Sequence, residues 1–499
     1  MRPFNPFLRP NALGTGLSYS ALSGRIPSRC ISSSSLRVAS SRRHVLEDCH
    51  RHGFQQRQPQ VGARPRTVVT LAIETSCDDT CVSILERHPS GSATLHFNEK
   101  ITSDNRAHGG IHPAVAIAGH THTLGPLLQR AITKHFPSSG STANKPDFVT
   151  VTRGPGMTQN LAVGLNTAKG LAAAWDVPLL GVNHMQAHAL TPRLVTALAA
   201  GKSNEPYQPS PTFPFLSLLV SGGHTMLVLS ESLATHRILV PNLSGLAIGD
   251  MLDKTARILV PQSELDKLSN TMYAAALEPF AFPPPPATSS TSSSSSFSQN
   301  YTPPPTRRDE IAPLPVYSPT DGRTLITTLT PPLSTTRKLA YDFTGLGTQI
   351  SRLLASSPAL PLPSRRTLAE ATMRLAFEHL ASRVLLCLGG EAGHETTDKL
   401  AAVKTLVVSG GVARNAYLRR ILRGMLDARG FGGIDIVAPP GDLCTDNAAM
   451  IAWTGVEMWE AGWRTELDVL ALRKWPVDPD SEGGILGAQG WVRREGFKG

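Results

Sequence analysis

Three times in this chain an apolar run of strand length stops at a short polar or glycine-rich turn. The first is Val68-Val-Thr-Leu-Ala-Ile-Glu74, followed by Thr75-Ser-Cys-Asp-Asp-Thr80 and a second apolar run, Cys81-Val-Ser-Ile-Leu85. The second is Phe215-Leu-Ser-Leu-Leu-Val220, Ser221-Gly-Gly-His-Thr225, Met226-Leu-Val-Leu229. The third, Thr405-Leu-Val-Val408 with Ser409-Gly-Gly-Val-Ala-Arg-Asn415, leads into a helical pattern over 417–426. Short runs of β-prone residues closed by Ser, Gly and Asp read as strand and turn. Ser76 and Ser221 lie 145 residues apart, and a repeat at that spacing implies two related lobes, not a solenoid of short units.

Between the first two units the strand-like stretch 147–151 precedes Gly154-Pro-Gly156, then Leu161, Leu165, Ala168, Leu171 and Trp175. Spacings of 4, 3, 3 and 4 mark one face of a helix. Strands alternating with helices predict an α/β fold. No stretch of about 18 residues is uniformly apolar, so no membrane-spanning helix is expected.

The net charge of +10 resembles a nucleic-acid signal until it is located. Residues 1–66 carry 11 Arg, no Lys and only the acids Glu47 and Asp48, a balance of +9. The remaining 433 residues hold 37 basic and 36 acidic groups, or +1. The body therefore has no global bias toward nucleic acid, although a local patch is compatible with this balance. An Arg- and Ser-rich start with no acid through residue 45 has the composition of a mitochondrial transit peptide. The bland alternative is a basic tail. Six cysteines form no Cys-x-x-Cys pair, which fits a reducing compartment and argues against a disulfide framework or a zinc ribbon.

The expected organisation is a leader over 1–66, an N-terminal lobe over 67–190, a C-terminal lobe over 191–480 and a tail over 481–499. The helix after Asp446 is expected to return to the cleft. Residues 276–336, with Pro283 to Pro286, a Ser/Thr run over 288–296 and Pro303 to Pro305, read as a low-complexity insertion unable to build a core.

Ser221-Gly222-Gly223 and Ser409-Gly410-Gly411 suit turns that aim several backbone N–H groups at a phosphate, where any Cβ would block close approach. Each alone is more often a plain turn. Two of them, with the polar turn at 75–80, make a nucleotide cleft between lobes more credible. No GxxxxGK[ST] pattern is present, which excludes a P-loop NTPase. His184-Met-Gln-Ala-His188 places two imidazoles at i and i+4 of one helix face, within reach of one cation. A zinc protease would need Glu directly after the first His, and Met185 stands there. Asp446 is the candidate third ligand. Its bland reading, shared with Thr445, is a helix N-cap, just as the His pair alone reads as two ordinary histidines. Asp253-Lys254 is either a solvated pair or a carboxylate for ribose hydroxyls.

These segments occur in order: Glu74-Thr-Ser-Cys-Asp-Asp-Thr80, Arg153-Gly-Pro-Gly156, Gly181-Val-Asn-His-Met-Gln-Ala-His188, Val220-Ser-Gly-Gly-His-Thr225, Ser409-Gly-Gly-Val-Ala-Arg-Asn415 and Cys444-Thr-Asp-Asn-Ala-Ala-Met450. Together they resemble the tRNA threonylcarbamoyladenosine transferase family. Gly245-Leu-Ala-Ile-Gly-Asp250 with Asp253-Lys254 resembles its mitochondrial branch. The resemblance implies a two-lobed actin/Hsp70/sugar-kinase-like fold. It implies transfer of threonylcarbamoyl from a threonylcarbamoyl-adenylate, made by a separate synthase, to the adenosine 3′ of the anticodon in tRNAs reading codons that begin with A. It also implies a mitochondrial matrix location, a homodimer and no membrane. By position, His184, His188 and Asp446 match the family's ligands for one divalent metal ion per subunit, iron or zinc. Leu219, Val220, Ser221, Gly222 and Gly223 match its substrate loop, and Asp253 and Asn415 its nucleotide contacts. Asp78 is the candidate for catalytic proton removal.

The chain departs from the family pattern at three places. Only Pro113 and His120 are evident in the stretch 113–120. Val260-Pro-Gln-Ser-Glu264 stands where Gly-Gly-Pro is common, and Gly347 stands in place of a usual Lys. Two other functions compete: a sugar-kinase- or Hsp70-like ATPase of the same fold, and a metal endopeptidase, which lacks its Glu.

Overall fold

The computed structural model describes residues 66–137, 145–203, 207–268, 270–283 and 301–494. The leader expected over 1–66 lies outside them except for Arg66, as does the Ser/Thr run 288–296.

Five strands open the chain: β1 (Val68–Glu74), β2 (Asp79–Arg87), β3 (Ala93–Thr102), β4 (Phe148–Gly154) and β5 (Leu179–Asn183). A second set follows as β6 (Phe215–Val220), β7 (Thr225–Ser230) and β8 (His236–Val240). After the hairpin β9 (Leu314–Tyr317) and β10 (Leu325–Leu329) come β11 (Thr405–Ser409), β12 (Asp435–Val437), β13 (Trp463–Thr465) and β14 (Trp491–Arg493). The helices that bear on the site are α1 (Pro113–His135), α2 (Thr158–Trp175), α3 (His184–Ser203), α4 (Ile248–Leu259), α5 (Thr344–Ser356), α6 (Leu362–Leu386), α7 (Ala416–Ala428) and α8 (Ala448–Glu460).

Two sheets carry the fold. The first runs β14-β13-β5-β4-β1-β2-β3 and the second β12-β11-β6-β7-β8. Within both, a parallel trio (β5-β4-β1 and β12-β11-β6) is extended by an antiparallel pair (β2-β3 and β7-β8). The repeat read from the sequence is thus a duplicated sheet. Its third copy differs in kind. The unit at 405–415 is parallel strand, turn and helix, the counterpart of β4, Gly154-Pro-Gly156 and α2, whereas the first two units are hairpins. This is the two-lobed α/β architecture expected. The central strands are apolar along their length because helices cover both faces, as parallel sheets require; β4, β5 and β6 are buried throughout.

The lobe boundaries differ from those expected. The segment 463–494 returns to the first sheet, where β13 pairs with β5 at Thr465 and Leu179, and with β14. Trp491–Arg493 therefore form the first sheet's edge strand, and Ile485 packs with Leu219 and Val228, so this stretch is not a loose tail. The buried Arg153 ties down this returning segment. Its Nε and Nη1 donate to the carbonyls of Leu470 (3.0 Å) and Gln489 (2.6 Å), which satisfies a charged group that burial would otherwise penalise. Helix α8 also packs in the first lobe, with Ala448 to Trp453 against Cys81, Leu85, Phe148 and Leu180.

The insertion is corrected at both ends. Leu277, Phe280, Val316 and Leu329 are buried in the second lobe's core. Tyr301 donates to Glu378 on α6 at 3.0 Å, and Glu310 accepts from Arg429 at 2.9 Å. Proline and serine content hid a few well-spaced apolar anchors and ion pairs. Among the described residues no helix is long and apolar enough to cross a membrane.

Candidate metal centre in the cleft

The site starts where β1 ends. Glu74 is fully buried, and its carboxylate accepts from the Ser76 backbone N–H at 2.5 Å and from the Thr152 hydroxyl. Its Oε2 also lies 3.2 Å from His184 Nδ1. At the end of β5, Asn183 caps α3, its Oδ1 accepting from the N–H groups of Met185 (2.9 Å) and Gln186 (3.2 Å). Its Nδ2 donates to Trp475 O at 2.9 Å, so the returning C-terminal segment braces the first turn of α3. That cap starts the helix at His184 and puts His188 one turn on, the two rings meeting edge to face with centroids 4.7 Å apart.

Asp446 arrives from a residue 258 positions further along the chain. Its Oδ1 lies 3.1 Å from His188 Nε2 and 3.5 Å from His184 Nε2. One ligand atom from each of the three residues lies within 4.8 Å of the others. Nitrogen and oxygen ligands about 2.1 Å from a common ion sit roughly 3–4 Å apart, so the two distances to Asp446 fit a shared cation. Both imidazoles present Nε2 and turn Nδ1 to a partner, Glu74 for His184 and Ser409 Oγ (3.5 Å) for His188. That outer arrangement fixes ring orientation in metal-binding histidines. The donor set thus fits a divalent metal ion. The N-cap reading of Thr445 and Asp446 is corrected: Asn447 is the N-cap of α8, its side chain accepting from Met450 N at 2.9 Å. Asp446 sits one residue earlier, with its carboxylate left for the histidines.

The electrostatics favour positive charge here. Burial opposes the charged form of His184, yet the carboxylates of Asp446 and Glu74 outweigh it and push its pKa up to about 10. Asp446 is held well below the usual carboxylate range because the two histidines overcome its desolvation. His224, behind the pair, is pushed down to about 4 by burial and by its two histidine neighbours.

The two Ser-Gly-Gly turns meet. Gly410 adopts φ +101°, and a Cβ there would lie 2.3 Å from Val220 O. Only glycine permits that approach. Ser221 Oγ accepts from His224 N at 3.0 Å and Gly223 N at 3.3 Å, which shapes the turn, while Gly222 and Gly223 face open space. Leu219 and Val220 are buried side chains, so any contribution they make to a ligand is through the backbone.

Other expected residues sit elsewhere. Asp78 is 7% exposed; Asn105 Nδ2 donates to its Oδ2 at 3.3 Å. Burial and the charge of Asp79 push its pKa up to about 6. Among the described residues no hydrogen bond joins it to the histidines, and Asp446 reaches it through charge alone. Asp253 is not paired with Lys254. Its Oδ2 accepts from Arg257 (2.7 Å) and its Oδ1 from Ala274 N (3.1 Å), while Lys254 donates to Asp250 (3.0 Å). Asn415 caps α7 by accepting from Leu418 N at 3.0 Å. Glu278 accepts from the next two N–H groups, Ala416 (3.3 Å) and Tyr417 (2.8 Å). The short segment from Ala274 to Glu278 therefore links Asp253 to the α7 terminus. Glu278 lay inside the stretch read as low complexity, and no local pattern marked it.

Comparison with known proteins accords with this geometry. The family model for tRNA N6-adenosine threonylcarbamoyltransferase (TsaD) matches residues 96–304 and 319–453. The mitochondrial tRNA N6-adenosine threonylcarbamoyltransferase of Schizosaccharomyces pombe is 38% identical over 446 residues, 87% of this chain and 91% of that protein. The tRNA N6-adenosine threonylcarbamoyltransferase of Rhizobium meliloti is 31% identical over 418 residues, 83% of this chain and 96% of that one.

Proposed function

The chain belongs to the tRNA N6-adenosine threonylcarbamoyltransferase family, and from that premise we propose that it transfers threonylcarbamoyl from threonylcarbamoyl-adenylate to the exocyclic amine of the adenosine 3′ of the anticodon, in mitochondrial tRNAs reading codons that begin with A. The observation that carries this reading is the meeting of His184, His188 and Asp446 beside two apposed glycine turns. The family match does not favour the ATPase reading of the same fold.

His184, His188 and Asp446 would hold one divalent ion, iron or zinc, which would supply neutralisation of negative charge around the donor's mixed anhydride. The loop from Leu219 to Gly223 holds the adenylate, the bare Gly222 and Gly223 allowing its close approach, with Asp253 and Asn415 on the nucleoside side. In the transfer the adenosine N6 forms a bond to the carbamoyl carbon, the bond from that carbon to the phosphate oxygen breaks, AMP leaves, and N6 loses a proton. The amine is a poor nucleophile, so holding it in line contributes much of the rate. Asp78 takes the proton: a carboxylate with a raised pKa is a better base than an ordinary one. The Arg-rich leader and the mitochondrial name of the fission-yeast relative support a place in the mitochondrial matrix. A homodimer is the working unit, and a separate synthase provides the donor.

The test is reconstitution of purified protein with donor adenylate and an unmodified mitochondrial tRNA transcript, read by mass spectrometry of nucleosides. Threonylcarbamoyladenosine is the expected product. Steady ATP hydrolysis without tRNA or donor, and no modified nucleoside, would overturn the proposal.

A further inference from the structure

Lys100 stands on the third strand, with its side chain on the face that α8 covers. The register pairs Cys81 with Lys100 and Asp79 with Thr102, so these four side chains share that face. Lys100 Nζ donates to Asp79 Oδ2 at 3.1 Å and to Thr445 Oγ1 at 2.9 Å. Thr102 donates to the other Asp79 oxygen at 2.5 Å. Asp79 is 5% exposed and Lys100 31% exposed at the side chain, so the carboxylate is buried while the lysine reaches it from the surface. An ammonium at this place is unusual, because it faces the N-terminus of α8, where the helix dipole is positive. Asp79 and Asp446 offset that cost; both raise the pKa of Lys100, although burial opposes them.

The turn that Lys100 grips is the one that presents Asp446. The second lobe holds it by Gly410 N donating to Cys444 O at 3.1 Å. The first lobe holds it by Lys100 at Thr445 and by Cys81 Sγ, 3.8 Å from Asp446 O. We propose that Lys100 is a positioning residue for the metal centre: acting through Thr445 and Asp79, it fixes the Asp446 carboxylate opposite His184 and His188. Lys100 touches neither the ion nor the substrate. The inference rests on the metal-centre reading above.

Cobalt(II) titration of the whole protein, followed by its visible absorption, tests this apart from turnover. Loss of an outer partner of a ligand typically costs 10–100-fold in metal affinity. Lys100→Met is expected to weaken cobalt binding about tenfold. Lys100→Arg restores most of it, and Thr445→Val weakens it alike. The double variant Lys100→Met with Thr445→Val is expected to be no worse than Lys100→Met alone, because the Thr445 contact is already lost there. KM for tRNA stays unchanged. If Lys100→Met does not fold, Thr445→Val carries the test, since it removes only a hydroxyl. Unchanged cobalt affinity in folded variants, with the wild type binding one ion, overturns the role of Lys100 alone. A wild type that binds no cobalt overturns the metal centre itself, and this inference with it.

Discussion

At the scale of single residues, the site depends on a few carboxylates whose surroundings push them in opposite directions. Asp446 is held ionised between two imidazoles, while Asp78 is held toward its neutral form by burial and by Asp79. The first suits a ligand and the second a proton acceptor. Replacing His184 or Asp446 with Ala is expected to lower metal content and transfer together, measured by elemental analysis and nucleoside mass spectrometry on the same preparation; full activity in a metal-free variant would refute the ligand assignment. For Asp78 the sign is set by its raised pKa. The base form accumulates only as pH rises through about 6, so kcat/KM for tRNA is expected to climb over that range, and a cation nearby moves the midpoint lower. Asp78→Asn should lose that limb and most of the rate; a pH profile unchanged by the substitution would remove Asp78 from the chemistry. The His pair was legible in the sequence because i and i+4 share a helix face whatever the rest of the chain does. Asp446 could be named from the sequence as a candidate third ligand but its contact with the histidines could not be derived there, and Glu278 and Lys100 were not legible at all. Each of the latter two acts across more than a hundred residues of chain, and no periodicity records such a contact.

At the scale of elements, strand and helix positions followed from pattern. The expected strands at 68–74 and 215–220 coincide with β1 and β6, and the apolar face at 161–175 lies within α2. These segments are buried on both sides or amphipathic at a clear period, so local sequence and tertiary demand agree. The turns carry the stricter requirement. Gly410→Ala would put a methyl group 2.3 Å from Val220 O at a left-handed φ, and is expected to cost about 1–3 kcal/mol. Gly411 is the control, because its Cβ would meet nothing nearer than Thr445 Cγ2 at 3.9 Å. Urea midpoints for Gly410→Ala and Gly411→Ala decide between a close-packed junction of turns and an ordinary loop; equal midpoints would show that the apposition is not needed. Where element reading failed, at 276–336 and 481–494, the apolar anchors were too few and too widely spaced to show through proline, serine and glycine. Leu277, Phe280, Val316 and Leu329 are buried because α6 and α4 stand beside them in space.

For the whole molecule, buried histidines set the response to pH. His224 and His236 are pushed from 6.5 down to about 4, first by burial, and His379 lies well below its usual range for the same reason. A group whose folded pKa is depressed stabilises the fold above its ordinary pKa, and that stability is lost as pH falls toward the folded value. His184 has the reverse sign: raised to about 10, its contribution is present below 6.5 and fades as pH rises through 10. The metal-free protein is therefore expected to lose thermal stability progressively between about pH 6.5 and 4, and again on the alkaline side. Melting scans across pH test this. A His236→Asn variant with a less steep acid limb would assign part of the loss to that residue, and an acid limb absent in the wild type would contradict the buried-neutral histidines. Composition, the spacing of apolar runs and the glycine turns determined by themselves that this chain makes two α/β lobes, because those features act within one element or its neighbour. Which carboxylate meets the histidines, which lysine holds it there and where residues 463–494 return were decided by tertiary structure. Each is a contact between parts of the chain that only the closing of both sheets brings within bonding distance.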